Sequence, residues 1–102
     1  MFRHQFHAEV KLGKFRDFYT TFEAFDGAVR ARNLARPQLW AKSFGKINSV
    51  VILREHESIE AYDTDNRAFL ADTDCMNLWR ELSQLVEATP WDELWETASQ
   101  IA

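Results

Sequence analysis

The chain has 102 residues, of which 46% are hydrophobic and 27% charged, and a formal net charge of -4. That length holds one domain, residues 1-102, and the acidic balance without a Lys/Arg-rich stretch leaves no electrostatic footprint for nucleic acid or an anionic membrane. A single cysteine, Cys75, excludes an internal disulfide or a multi-cysteine zinc cluster, and the absence of a signal-peptide core or a membrane-length apolar run leads to a cytoplasmic expectation.

Phe2, His4, Phe6, Ala8 and Val10 alternate with Arg3, Gln5, His7 and Glu9, the period-2 pattern of a strand. Gly13 marks the following turn. Phe15, Phe18, Phe22, Phe25 and Val29 then recur at three- and four-residue steps, which predicts an amphipathic helix ending before Pro37. Gly27 lies inside it and costs about 1 kcal/mol against Ala, so irregular last turns are expected. Gln38 to Phe44 reads as a second strand and Gly45-Lys46 as a turn. Ser49 to His56 reads as a third strand whose centre, Val50-Val51-Ile52-Leu53, is apolar on consecutive residues. Such a strand is usually buried on both faces.

Ser58 is a suitable N-cap for a helix from Ile59 to Leu70, with Glu60 in its first turn. Asp72-Thr73-Asp74 interrupts or re-caps this helix, and Met76, Trp79, Leu82, Leu85 and Val86 carry the stripe to about Glu87. Pro90 ends it. Trp91 to Thr97 is taken as a last strand; a short helix over Trp91 to Ser99 is the competing reading, since Trp91, Leu94 and Trp95 also fit a helical face.

Strand, helix, strand, strand, helix, strand is the order of an α+β, ferredoxin-like β-α-β-β-α-β fold, with a four-stranded antiparallel sheet and helices on one face. The first and third strands are central in this topology. The third strand is apolar on both faces, so leaving one face wet forgoes about 1.5–3 kcal/mol per large apolar side chain. The heavy load of eight Phe and four Trp also calls for more buried surface than one sheet under two helices. A second copy packed sheet on sheet supplies it. The polar residues of the first strand would then share the enclosed space, as in a small-molecule pocket.

Two stretches resemble a known family. His7-Ala8-Glu9-Val10-Lys11-Leu12-Gly13-Lys14-Phe15-Arg16-Asp17-Phe18 is similar to the strand, turn and Phe-bearing helix of the dimeric α/β-barrel superfamily, in particular its NIPSNAP and antibiotic-biosynthesis-monooxygenase-like members. Glu57-Ser58-Ile59-Glu60-Ala61-Tyr62 with Ala68-Phe69-Leu70-Ala71-Asp72 is similar to the segment before the family's last helix, with Thr73 where Pro is frequent. The resemblance implies a homodimeric barrel and a small apolar or aromatic ligand. If the protein is an enzyme, it implies a monooxygenase or isomerase working without a cofactor. The alternative is a non-catalytic small-molecule-binding or protein-interaction module.

His7 and Glu9 share a strand face roughly 7 Å apart, and a carboxylate beside an imidazole can fix its tautomer and raise its basicity. In the catalytic reading His7 is the base, Glu9 its orienter and Arg54 a stabiliser of a developing oxyanion. A solvated polar pair and a structural salt bridge of Arg54 with Glu55, Glu57 or Glu9 are the simpler accounts. Gln5, Trp40, Phe44, Ile52 and His56 are the candidate ligand contacts; for Trp40 and Phe44 dimer packing is the favoured account. His4 falls on the apolar face and reads as a core-edge residue. His4 with His56 lacks a third metal ligand, so no metal site is expected. Cys75 is expected to be buried and inert.

Overall fold

The structure, a computed structural model, describes residues 1–98. Its elements are β1 (Phe2–Glu9), α1 (Phe15–Ala31), β2 (Gln38–Ala41), β3 (Ser49–His56), α2 (Ile59–Ala71), α3 (Thr73–Ser83) and β4 (Trp91–Glu96). The sheet order is β2-β3-β1-β4 and every pairing is antiparallel. This is the α+β ferredoxin-like arrangement, with the second helical segment divided in two. β1 and β3 are central, as their patterns require.

The register fixes which side chains share a face. Phe6 stands opposite Ile52 and Asp92, and His4 opposite Arg54 and Leu94. Phe6, Ala8, Val50 and Ile52 therefore meet the helices, where they form one core with Phe18, Phe25, Val29, Phe69, Cys75 and Leu82. The aromatic stripe of α1 reaches across to α3: Phe25 lies 5.5 Å from Trp79 and 5.7 Å from Phe69 between ring centroids, and Phe6 meets Trp79 edge-on at 4.7 Å. Such edge-to-face pairs add about 0.5–1.5 kcal/mol beyond the area they bury.

Several boundaries differ from the sequence expectation. Helix α1 is regular through Gly27 to Ala31. It is closed by Asn33 at φ 55°, with Asn33 N–H donating to Arg30 O and Leu34 N–H to Val29 O. A Schellman ending of this kind needs a left-handed residue, which Asn tolerates. β2 stops at Ala41 instead of Phe44, because the chain turns through Gly45 at φ 101° and only Lys42 N–H still reaches Ser49 O. α3 stops at Ser83, and Val86 bridges Val10 at the end of β1. Trp91–Glu96 is a strand; Ser99 lies outside the described residues.

Asp72 ends α2 and caps α3. Its carboxylate accepts the Cys75 N–H at 2.9 Å and pairs with Arg32. The Cys75 N–H holds the Asp72 carboxyl below its usual range, with Arg32 adding to the effect. A carboxyl depressed in the folded state stabilises it above the unfolded pKa, and that contribution is lost as pH falls from about 4 through the folded value. Thermal melts of the wild type and Asp72→Asn should therefore differ most above about pH 5 and converge in acid. A difference independent of pH would contradict this. Cys75 is fully buried, and burial, with Asp72 beside it, pushes its thiol above the usual value.

Candidate functional site

The strand register separates the expected site residues. Gln5, His7, Glu9 and Trp40 share the sheet face away from the helices. Ile52, Arg54 and His56 lie on the opposite, helix-covered face, paired across the strands with Phe6, His4 and Phe2. Phe44 sits in the β2–β3 hairpin, 92% exposed. Arg54 thus cannot act on a group held by His7: a sheet separates them. Its guanidinium pairs with Asp65 of α2, donates to Ala35 O at 3.0 Å and lies 5.0 Å over the Phe69 ring. The Arg54 partner comes from a helix and not from Glu55, Glu57 or Glu9.

On the open face, His7 Nε2 lies 2.9 Å from Gln5 Oε1 and 3.6 Å from Glu93 Oε1, and its ring stacks on Trp91 at 4.9 Å. Glu9 instead accepts from Lys46 Nζ at 2.9 Å, so the carboxylate beside His7 is Glu93. The Trp91 and Trp95 indole N–H groups donate to Glu93 and hold its carboxyl below the usual range. Trp40, 59% exposed, and Trp91 border a cleft of about 210 Å³ beside His7. With half-buried Val51 at its centre, this face combines exposed indoles with a small polar network.

The helix side holds a larger, more open arrangement. Between β1/β4 and α2/α3 lies a cleft of about 420 Å³, walled by Phe69, Leu70, Trp79 and Leu94 and bordered by His4, Tyr62, Asn66 and Asp92. A narrow extension past His4, Asn66, Phe69 and Trp79 reaches Phe25, Ile52 and Arg54. The space exists because α2 and α3 diverge at the Asp72 break while β4, only six residues long, forms the sheet edge beneath them.

At the mouth, His4 Nε2 lies 2.9 Å from Asp92 Oδ1. A neutral imidazole must carry its proton on Nε2 to make this bond, which leaves Nδ1 as the basic nitrogen. The Tyr62 ring stands 6.1 Å from His4 and packs edge-on at 5.2 Å against His56. Burial first, then Arg54 and His4, lower the His56 pKa and keep its ring neutral. The His56 Nε2 has no hydrogen-bond partner among the described residues. A base oriented by a carboxylate, beside a cleft with two aromatic and two leucine walls and an amide and a phenol on its border, is equipped to bind a flat molecule and move a proton. Among the described residues no group of three His, Cys, Asp or Glu is placed to hold a metal ion.

The sequence expectation groups Ile52, Arg54 and His56 with His7, whereas the structure sets them on the same sheet face as His4. That His4 shares their face follows from the β1–β3 register, which pairs His4 with Arg54. Asp92, Tyr62 and Asn66 required the β1–β4 register and the angle of α2.

The chain matches no protein-family model and none of the curated proteins. Solved structures do match it. An uncharacterized NIPSNAP domain protein from Burkholderia xenovorans superposes with TM-score 0.79 at 17% identity, covering 97% of this chain and 96% of that one. A NIPSNAP family protein from Agrobacterium tumefaciens gives 0.78 at 13%, covering 95% and 85%. A structure described as an antibiotic biosynthesis monooxygenase gives 0.74 at 12%, covering 96% and 99%. At these identities the likeness is one of fold, and it extends over nearly the whole chain.

Proposed function

We propose that the protein is a homodimer that binds a small, flat, largely apolar molecule in the cleft between β1/β4 and α2/α3 and transfers a proton from it to His4. The observation that carries this reading is the His4–Asp92 pair, 2.9 Å apart, at the mouth of a cleft walled by Phe69 and Trp79. His4 Nδ1 takes a proton from an acidic O–H or C–H of the bound molecule; Asp92 stabilises the imidazolium that results. Asn66 borders both parts of the cleft and supplies an amide donor to a developing oxyanion. Removing such a proton is the step that activates a phenol or enol toward oxygenation or isomerisation. The fold shared with an antibiotic biosynthesis monooxygenase supports that chemistry.

Dimerisation is supported by the open sheet face, where Trp40, Trp91 and Trp95 are all more than half exposed. Exposed indoles gathered on one face mark an association surface. One observation favours a purely binding role: the Asp92 side chain is 63% exposed, so water screens its effect on His4. His4→Gln separates the two roles, since it abolishes turnover in an enzyme and leaves binding within a few-fold in a carrier.

Calorimetric titration with 2-naphthol as a flat phenolic probe tests the site. The wild type should bind, and Leu94→Trp, which fills the cleft wall, should weaken binding by at least about tenfold. Equal binding by the variant would place the ligand elsewhere.

A further inference from the structure

All four lysines of the chain, Lys11, Lys14, Lys42 and Lys46, fall in two turns. Lys11 and Lys14 flank the turn between β1 and α1, and Lys42 and Lys46 lie in the β2–β3 hairpin. The two turns are some thirty residues apart in sequence, so neither forms a basic run and composition alone does not expose them. The fold brings them to the same end of the sheet. Val10 N–H donates to Asn48 O at 2.8 Å, Asn48 Nδ2 donates to Val10 O at 3.2 Å, and Lys46 reaches Glu9 at 2.9 Å. Lys11, Lys14 and Lys42 form no ion pair among the described residues.

The same turns carry apolar side chains that the core does not use. Leu12 is 73% exposed, Ile47 81% and Phe44 92%. Gly13 at φ 83° and Gly45 at φ 101° make both turns tight. Three protruding apolar side chains among lysines, on a chain whose net charge is -4, join the two features that hold a protein at a lipid interface: apolar tips that enter the acyl boundary and cations that meet anionic headgroups.

We propose that this end of the sheet docks the protein on an anionic lipid surface, with Phe44, Ile47 and Leu12 inserted and Lys11, Lys14 and Lys42 on the headgroups. A second copy is the poorer occupant, because a two-fold contact through this patch sets lysine against lysine. A single-stranded nucleic acid would use aromatic stacking platforms along a basic groove, whereas these side chains protrude from turns. The site is separate from the cleft, at the opposite end of β1 from His4. Docking would bring the protein to the phase in which apolar molecules dissolve.

The test is sedimentation of the full chain with vesicles of phosphatidylcholine alone and of equimolar phosphatidylcholine and phosphatidylglycerol. Binding to the mixed vesicles, weakened by added salt and much reduced on neutral ones, is expected. Phe44→Ser with Ile47→Ser should lower partitioning at least about tenfold. Lys11→Gln with Lys14→Gln and Lys42→Gln should remove the dependence on anionic lipid. These positions are exposed, so unchanged melting curves should accompany both sets. Absence of binding to the mixed vesicles overturns the proposal. So does unchanged partitioning of the Phe44→Ser, Ile47→Ser variant, which would mark the lysines as a site for soluble polyanions.

Discussion

Arg54→Met should destabilise the protein by about 3–5 kcal/mol, as read by urea denaturation. Arg54 is 7% exposed and pairs with Asp65, whose other carboxylate oxygen accepts the Ala35 N–H at 2.8 Å. Methionine replaces much of the aliphatic stem but leaves the Asp65 carboxylate half of a sealed pair. It also removes the cation over Phe69 and the donor to Ala35 O. Uncompensated charge is the dominant cost, because a carboxylate held in low dielectric loses its solvation with nothing in return. Domains of this size have a total stability of about 5–15 kcal/mol, so the variant should be marginal at room temperature. Arg54→Met with Asp65→Leu should recover a large part of the loss, since replacing both charges by apolar groups removes the penalty. A loss below about 1 kcal/mol in the single variant would show that water reaches the pair. The pair also sets the cleft: it ties α2 to β3 and to the segment after α1, and so fixes the distance of Tyr62 and Asn66 from the sheet.

Val51→Glu should convert the proposed dimer to a monomer while leaving the subunit folded. Val51 is in the middle of β3, opposite His7 on one side and Trp40 on the other, on the face away from the helices. In a sheet-on-sheet dimer the two carboxylates would be enclosed near a two-fold axis, beside Glu93 and Glu9 of the same face. Like charges brought together in an interface cost several kcal/mol, which weakens association by on the order of a thousandfold. In the free subunit the position is only half-buried, so the thermal transition should move little. Sedimentation velocity at micromolar concentration reads the result directly. A variant that remains dimeric would mean that the association surface lies elsewhere.

The period-2 pattern of Phe2 to Val10 and the apolar run Val50 to Leu53 were sufficient to order the sheet, because a central strand buried on both faces has few other solutions. The aromatic stripe of α1 was equally plain. Boundaries set by single backbone dihedrals were not: the end of β2 depends on Gly45, and the end of α1 on Asn33 adopting a left-handed conformation. For the site, strand parity grouped His7 with Glu9 and Arg54 with Ile52 and His56, each within its own strand. That the two groups lie on opposite faces depends on the β1–β3 register. The pairing of His4 with Asp92 was beyond reach, since it joins residues 88 positions apart through a register that no local pattern encodes. The lysine cluster was hidden in the same way, by turns that meet only in the folded sheet.

The four tryptophans report separately on the two faces, which makes one measurement decisive. Trp79 borders the helix-side cleft, whereas Trp40, Trp91 and Trp95 belong to the open face. Proton–nitrogen correlation spectra recorded during titration with 2-naphthol should show the Trp79 indole and the Asn66 side-chain amide shifting together, with the three other indoles still. Shifts at Trp40 and Trp91 with an unmoved Trp79 would contradict the account and put the ligand between the sheets, beside His7.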